Sequence, residues 1–317
     1  MTGDIQNSYL IRLTARLAAG LRGMKSDRAA RHRDFLLGFQ RADGGFAGRE
    51  GGSDLYYTSF AVRGLALLDG LNESRCRVIA GYLKSAAERG SYSLIDLVSW
   101  LYSAATIRLA GGPAAFDGDL KVMADEVSAA LESFRRPDGG YAKTGEGGSG
   151  STYHTFLAVL CYELLGLIPP EPDSIVRFLL SRRRDDGGFV EIGPMRRSGT
   201  NPTAAAAVLL RRLEAVNPEV FRGIESFLDN VKGPEGGLRA NTQIPFCDLL
   251  STFTGLLMAD DLGLAGRIDS ASCRQFASSL ELSGGGFRGA SWDGEADPEY
   301  TFYGLGTLAL LKGGSPP

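Results

Sequence analysis

The chain has 317 residues, 44% of them apolar, and a formal net charge of −3. That is ample for one large core, the mild acidity argues against a nucleic-acid binder, and Glu163 breaks the apolar run at 156–167 short of a membrane span. Cys76, Cys161, Cys247 and Cys273 lack CxxC spacing and read as reduced core residues of a cytoplasmic protein, and residues 1–20 contain no signal-peptide core.

The first predicted element is an amphipathic helix at 9–21, which precedes a series of internal repeats. Residues 39–68 read FQRADGGFAGREGGSDLYYTSFAVRGLALL: a helix end, Gly44-Gly45 with Phe46, a polar loop and an apolar helix. The same plan returns at 135–165, 178–210, 227–257 and 276–311. The glycine pairs begin at Gly44, Gly139, Gly187, Gly236 and Gly285, so the last three steps are 48, 49 and 49 residues and the first is 95. A first step of about twice the period implies a worn copy near Gly90, ahead of the apolar run 94–109, and six units in all.

Each unit holds two helical segments. The one before Gly-Gly is amphipathic: in 173–183, Ile175, Val176, Phe178, Leu179 and Leu180 form a stripe and the arginines the other face. The one after it is apolar nearly all round, as in 204–210, and must be buried on both sides. The first kind therefore forms an outer layer and the second an inner one. An open solenoid would need a polar-faced terminal unit, and the last helix, 300–311, would be half bare without a neighbour. The expectation is an all-α, α/α toroid (an α6/α6 barrel) as a single domain over 1–317, with an N-terminal extra helix in 1–27 and repeats over about 28–311. Glycine ends each outer helix in the left-handed region, and the aromatic after it pins the loop.

Several residues along the chain are candidates for function. His32, between arginines on the first outer helix, reads as solvated. Asp54 reads as a helix cap, and Asp96 as a first-turn carboxylate in an apolar run with Trp100. Asp117 and Asp119 open the third outer helix. His154 has no partner at metal spacing and reads as packed or hydrogen-bonded on its inner helix. Arg182 to Arg184 read as a helix-end charge cluster, whereas Arg196 and Arg197 lie in the loop feeding the fourth inner helix and could face its mouth. Arg239, Cys247 and Asp248 hold the same places in the fifth unit. Asp293, Glu295, Asp297, Glu299 and Tyr300, with Trp292, make an acidic and aromatic loop in the sixth.

All inner helices start at the same end, where free amides and positive dipole ends converge. Below it lie Tyr57, Phe60, Trp100, Tyr153 and Phe156, then Phe253, Tyr300, Phe302 and Tyr303. A greasy funnel with an anion-friendly rim suits a long apolar molecule with a phosphate head.

The Gly-Gly-aromatic units resemble the repeats of protein prenyltransferase β subunits and, more distantly, those of squalene-hopene and other class II terpene cyclases. The resemblance covers about 28–311. It is greatest to the β subunit of Rab geranylgeranyltransferase, whose last repeat has a D-P-aromatic-H-T pattern where Asp297-Pro298-Glu299-Tyr300-Thr301 stands here. It implies an isoprenoid diphosphate substrate and a helical-repeat partner like that family's α subunit. The family's zinc ligands, Asp, Cys and His, fall on Phe246, Asp248 and Tyr300. A one-residue shift brings Cys247 to the Cys position and restores nothing else, so no cofactor is expected. The family's diphosphate-binding residues fall near Arg197, Asn241 and a gap, and its third-repeat arginine falls on Tyr153. Class II cyclases use a D-x-D-D acid, which this chain lacks; Asp248, Asp96 or Glu299 could act as an isolated acid among aromatics. The sequence thus supports three readings: a diverged prenyltransferase-like enzyme, a cyclase using a cavity acid, and a non-catalytic lipid- or partner-binding toroid.

Overall fold

The computed structural model describes residues 5–90 and 92–311, which hold thirteen α-helices and no β-strand. The chain has the α/α-toroid fold. Helix α1 (Tyr9–Leu21) stands ahead of six outer–inner pairs. The outer helices are α2 (Ser26–Leu37), α4 (Glu73–Glu88), α6 (Leu120–Ser133), α8 (Pro172–Ser181), α10 (Pro218–Asn230) and α12 (Ser270–Ser279). The inner ones are α3 (Leu55–Leu67), α5 (Leu94–Leu109), α7 (Thr152–Leu164), α9 (Thr200–Arg212), α11 (Leu249–Asp261) and α13 (Pro298–Leu310). The chain falls into two compact units. Unit one comprises Met1–Ala129, Leu160–Leu167 and Leu280–Pro317; unit two comprises Ala130–Val159 and Ile168–Ser279.

The two helix types bury what their patterns require. On α9 every residue from Thr203 to Leu210 is buried; on α8 only Ile175, Phe178 and Leu179 are. Burial of one such aliphatic side chain is worth about 1.5–3 kcal/mol, so the inner layer supplies most of the core.

One hydrogen bond recurs in five of the six units. The N–H of the residue after Gly-Gly donates to a threonine Oγ1 on the fourth residue of the inner helix. The pairs are Phe46 to Thr58, Tyr141 to Thr155, Phe189 to Thr203 and Leu238 to Thr252, each at 2.9 Å, and Phe287 to Thr301 at 3.2 Å. Thr155, Thr203 and Thr252 each donate onward to the carbonyl four residues back, at 2.7 Å. One side chain thus satisfies a buried loop amide and ties the turn to the start of the inner helix. The second unit departs: Ser93 and Asp96 form a capping box, and the Trp100 indole N–H donates to the Leu83 carbonyl at 2.8 Å.

The glycines set how closely successive pairs approach. Gly187 has φ 85°, and a Cβ there would overlap the Gly223 carbonyl of α10, the next outer helix. Gly285, with φ 97°, meets the Arg31 carbonyl of α2 in the same way. The last turn thus docks on the first outer helix as the turns at Gly44, Gly139, Gly187 and Gly236 dock on their successors. In unit one α13 also packs against α2 and α3, which closes the last repeat onto the first.

That joint corrects one expectation. His32 is not solvated; it is fully buried and stacks on Phe287 with centroids 5.1 Å apart. In three other units the second glycine's N–H donates to an aspartate two residues earlier: Asp43, Asp138 or Asp186. The sixth unit has Gly284 at that place, and the Gly286 N–H donates instead to His32 Nδ1 at 3.0 Å. His32 Nε2 lies 3.2 Å from Glu281, which Arg28 also binds. Periodicity within α2 sees neighbouring arginines; it cannot see a cover that comes from the other end of the chain.

Helix α1 crosses unit one toward the C-terminal ends of its inner helices. The Tyr102 hydroxyl donates to the Leu10 carbonyl at 2.9 Å, Tyr9 N–H donates to Glu163 at 2.9 Å, and Gly20 rests on the Ala309 backbone.

Two outcomes test these joints. Thr203→Val keeps the shape and strands the Phe189 N–H, so denaturant unfolding should show a loss of about 1–3 kcal/mol at unchanged m. For Glu281, burial pushes the carboxyl up, but hydrogen bonds from His32 and Arg28 outweigh it and hold the pKa at about 2, below the ordinary 4.5. A depressed carboxylate stabilises the fold above its unfolded pKa and ceases to as pH falls through the folded one. The stability gap between wild type and Glu281→Gln should therefore be fully open above about pH 4.5 and should close toward about pH 2. A gap that does not change with pH would contradict this.

Candidate functional site

On α3, Tyr56, Phe60 and Arg63 recur at helical spacing and share one face. On α13, Glu299, Phe302 and Tyr303 do the same. The caps fix both helices: Asp54 accepts from the Tyr57 N–H at 2.7 Å and Asp297 from the Tyr300 N–H at 2.9 Å. The faces meet within unit one. Phe60 lies against Tyr56, Phe302 and Tyr303 with ring centroids 4.9, 5.7 and 5.3 Å away. The Tyr56 hydroxyl donates to Glu299 at 2.7 Å across the helix pair. Both helices are otherwise largely sealed, yet Tyr56, Tyr57, Arg63, Glu299 and Tyr300 remain half-exposed.

Burial pushes the Glu299 carboxyl above its ordinary value; the Tyr56 hydroxyl opposes this, and the Asp297 charge adds to it. The guanidinium carbon of Arg63 sits 3.9 Å from the Phe60 ring centroid, 4.7 Å from that of Phe302 and 5.1 Å from that of Tyr102. Its Nε donates to the Ser59 carbonyl at 3.1 Å. Neither Arg63 nor the bond from Tyr56 to Glu299 is among the features the loops and helix starts announce. The signal in the sequence is a lone charge in the middle of an otherwise apolar inner helix.

Two other candidates of unit one are taken up by structure. The Asp96 carboxylate closes its own capping box, accepting from the Ser93 hydroxyl at 2.7 Å. Trp100 is buried with its N–H satisfied. Tyr57 flanks the aromatic face, edge-on to Tyr56.

Unit two carries a separate polar cluster. The Ser151 hydroxyl lies 2.8 Å from His154 Nδ1 and donates to Glu191. Burial lowers the His154 pKa, helped by the Lys143 charge, and raises that of Glu191. Glu191 also ties two repeats together: its carbonyl accepts from the Thr152 N–H at 3.0 Å, as Ala240 does from Thr200 at 2.8 Å. Tyr153 is exposed beside His154, while Phe253 is buried. Asp248 caps α11, accepting the Ser251 N–H and hydroxyl, each at 2.7 Å, and burial raises its pKa. Arg196 and Arg197 are exposed, with Arg197 bonded to Gln243. Arg239 turns away to the Asn230 carbonyl on α10, at 2.6 Å.

Residues 9–193 and 203–315 match the family model of the prenyltransferase α/α-toroid domain. The chain belongs to that family. A search of curated proteins found no matching relative. Among solved structures the chain is similar to Candida albicans protein geranylgeranyltransferase-I complexed with GGPP: 14% identity, 89% of this chain and 90% of that one, TM-score 0.70. It is also similar to the type II terpene cyclase MstE from Scytonema, in a variant holding geranylgeranyl dihydroxybenzoate, at 13% identity, 95% and 97% coverage and TM-score 0.60. An α-1,6-mannanase from Salegentibacter in complex with α-1,6-mannotriose matches at 14%, 90% and 98%, and 0.61. At these identities the likeness is one of fold.

The zinc site implied for this prenyltransferase-family chain does not fit its residues. Phe246 offers no donor atom, Asp248 is spent on its helix cap, and burial pushes the Cys247 thiol up to about 11, away from the thiolate that zinc requires. Among the described residues no three His, Cys, Asp or Glu side chains gather as a metal-holding group. Nor is any described helix long and apolar enough to cross a membrane.

The raised carboxyl of Glu299 has a measurable sign. A carboxylate whose folded pKa lies above its unfolded value weakens the fold as pH rises from about 4.5 through the folded pKa. Glu299→Gln should therefore match wild-type stability near about pH 4 and exceed it near about pH 8, by chemical denaturation at both values; a difference independent of pH would refute the assignment.

Proposed function

We propose that the chain is a prenyltransferase-like enzyme that binds an isoprenoid diphosphate with its hydrocarbon chain along the aromatic face of α3 and α13. The observation that carries the reading is that face: Tyr56, Phe302 and Tyr303 each against Phe60, solvent-reached at Tyr56, on helices that are otherwise largely sealed. Aromatic side chains give large apolar contact and favour polyene surfaces. Family membership supports the same ligand class, and two of the similar structures hold geranylgeranyl compounds. Arg239 is engaged elsewhere, and Asp54, Asp248 and Asp297 already cap α3, α11 and α13. Zinc-assisted transfer to a cysteine is not part of the proposal, because the residues do not fit the metal. A helical-repeat partner like the family's α subunit is compatible with it.

A second reading, a cyclase that protonates an alkene, is favoured by one observation. Glu299 is a half-buried carboxyl group beside aromatics, and desolvation keeps it protonated more readily than a free glutamate. Stacking of Arg63 on Phe60 and Phe302 weighs against it, since a resident cation already occupies the ring faces that a carbocation would need.

Farnesyl and geranylgeranyl diphosphates titrated into the purified protein should bind at micromolar concentration or better, with α-1,6-mannotriose inert. Phosphorus NMR then separates the readings: release of inorganic diphosphate supports transfer chemistry, whereas a cyclised product that retains its diphosphate supports the acid. Binding of the oligosaccharide in place of both lipids would overturn the proposal.

A further inference from the structure

Arg63 is the one charged group in the middle of the α3 aromatic face, and its donors are not spent. Its Nε bonds the Ser59 carbonyl, and among the described residues neither Nη has a hydrogen-bond or ion-pair partner. Three aromatic rings lie within 5.1 Å of the guanidinium carbon, which strips part of its hydration, and the Nη edge keeps its unspent donors. A guanidinium edge of this kind matches the two-oxygen edge of a carboxylate or phosphate. Glu299 on the facing helix is bound by Tyr56; burial disfavours its charged form, and the Arg63 charge only partly offsets this. It therefore neither neutralises Arg63 fully nor forbids a second anion. Arg63 is the ninth residue of α3, about 12 Å along the helix from its start. Arg196 and Arg197, by contrast, are solvated on a loop of unit two.

We infer that Arg63, and not Arg196 or Arg197, holds the acid group of the ligand. The group is a phosphate or carboxylate, seated beside the Phe60–Phe302 rings with the hydrocarbon chain leading away along the aromatic face. This rests on the reading of that face as the lipid-binding one, and it specifies the ligand as an apolar acid bound by its charged end well inside the inner layer.

The test uses three probes of one chain length: geranylgeranyl diphosphate, geranylgeranoic acid and geranylgeraniol. Wild type should bind the diphosphate and the acid at least about tenfold more tightly than the alcohol, the worth of one charge-assisted contact. In Arg63→Gln that preference should vanish while the affinity for the alcohol stays the same. Arg63→Lys, which keeps the charge, should retain part of it, and Arg197→Ala should leave all three affinities as they were. Thermal melts of the Arg63 variants confirm that they fold. Retention of the preference in folded Arg63→Gln, or its loss in Arg197→Ala, overturns the inference and leaves the lipid reading standing, because the alcohol still binds. Failure of all three probes to bind wild type removes the lipid reading and this inference together.

Discussion

The threonine that receives the loop amide after each glycine pair is the bond on which the rest of the architecture depends. A turn that buries a backbone N–H must satisfy it, and here the partner is a side chain one turn into the inner helix. That choice fixes where the inner helix begins relative to the turn. The glycine beside it lets the turn lie against the carbonyl of the next outer helix, as at Gly187 on Gly223. Together they make each pair a template for its neighbour, and Gly285 on Arg31 applies the template once more at the join of last repeat to first. Where the sixth unit lacks the usual aspartate, His32 supplies the acceptor from the other side of the joint.

A scaffold held this way leaves its inner helices almost wholly apolar, so each polar group that remains on them must be satisfied, spent on a cap, or open to a ligand. Asp96 and Asp248 are spent on caps. Thr58 and its equivalents are spent on the turns. Glu299 is shared with Tyr56, and Arg63 rests on aromatic faces with its Nη groups open. A carboxylate that ends a helix thus differs from a cation that can meet a ligand, although both occur in apolar runs of similar appearance.

The repeat, the helix order and the all-α fold are readable from the spacing of glycine pairs and from two kinds of hydrophobic pattern. Those signals are periodic and reinforce one another across units. What the sequence conceals depends on contacts between distant segments. His32 carries a polar-face pattern within α2, yet its environment comes from 281–287. Asp96 and Trp100 stand out as unusual residues in an apolar run, and each serves its own helix or the outer helix beside it. Arg63 is easily passed over, because the loops hold the more unusual residues. Its three ring contacts join α3, α5 and α13, which no local pattern predicts. The threonine latch is legible, at 12 or 14 residues from the residue after each glycine pair, but only once the partner of the loop amide is sought.

The same fold accompanies a prenyltransferase, a terpene cyclase and a mannanase among the similar structures, so chemistry must be argued from the side chains of this chain. The proposal of an isoprenoid ligand handled without the family's metal rests on the chain's aromatic face, its unfit zinc positions and its stacked arginine. The most direct measurement is photo-crosslinking with a diazirine-bearing geranylgeranyl diphosphate, with the adducts mapped by peptide. Adducts competed away by unlabelled ligand and falling on Tyr56, Phe60 or Tyr303 are the result this account requires. Competed adducts confined to the outer helices, or none on α3 and α13, would contradict it.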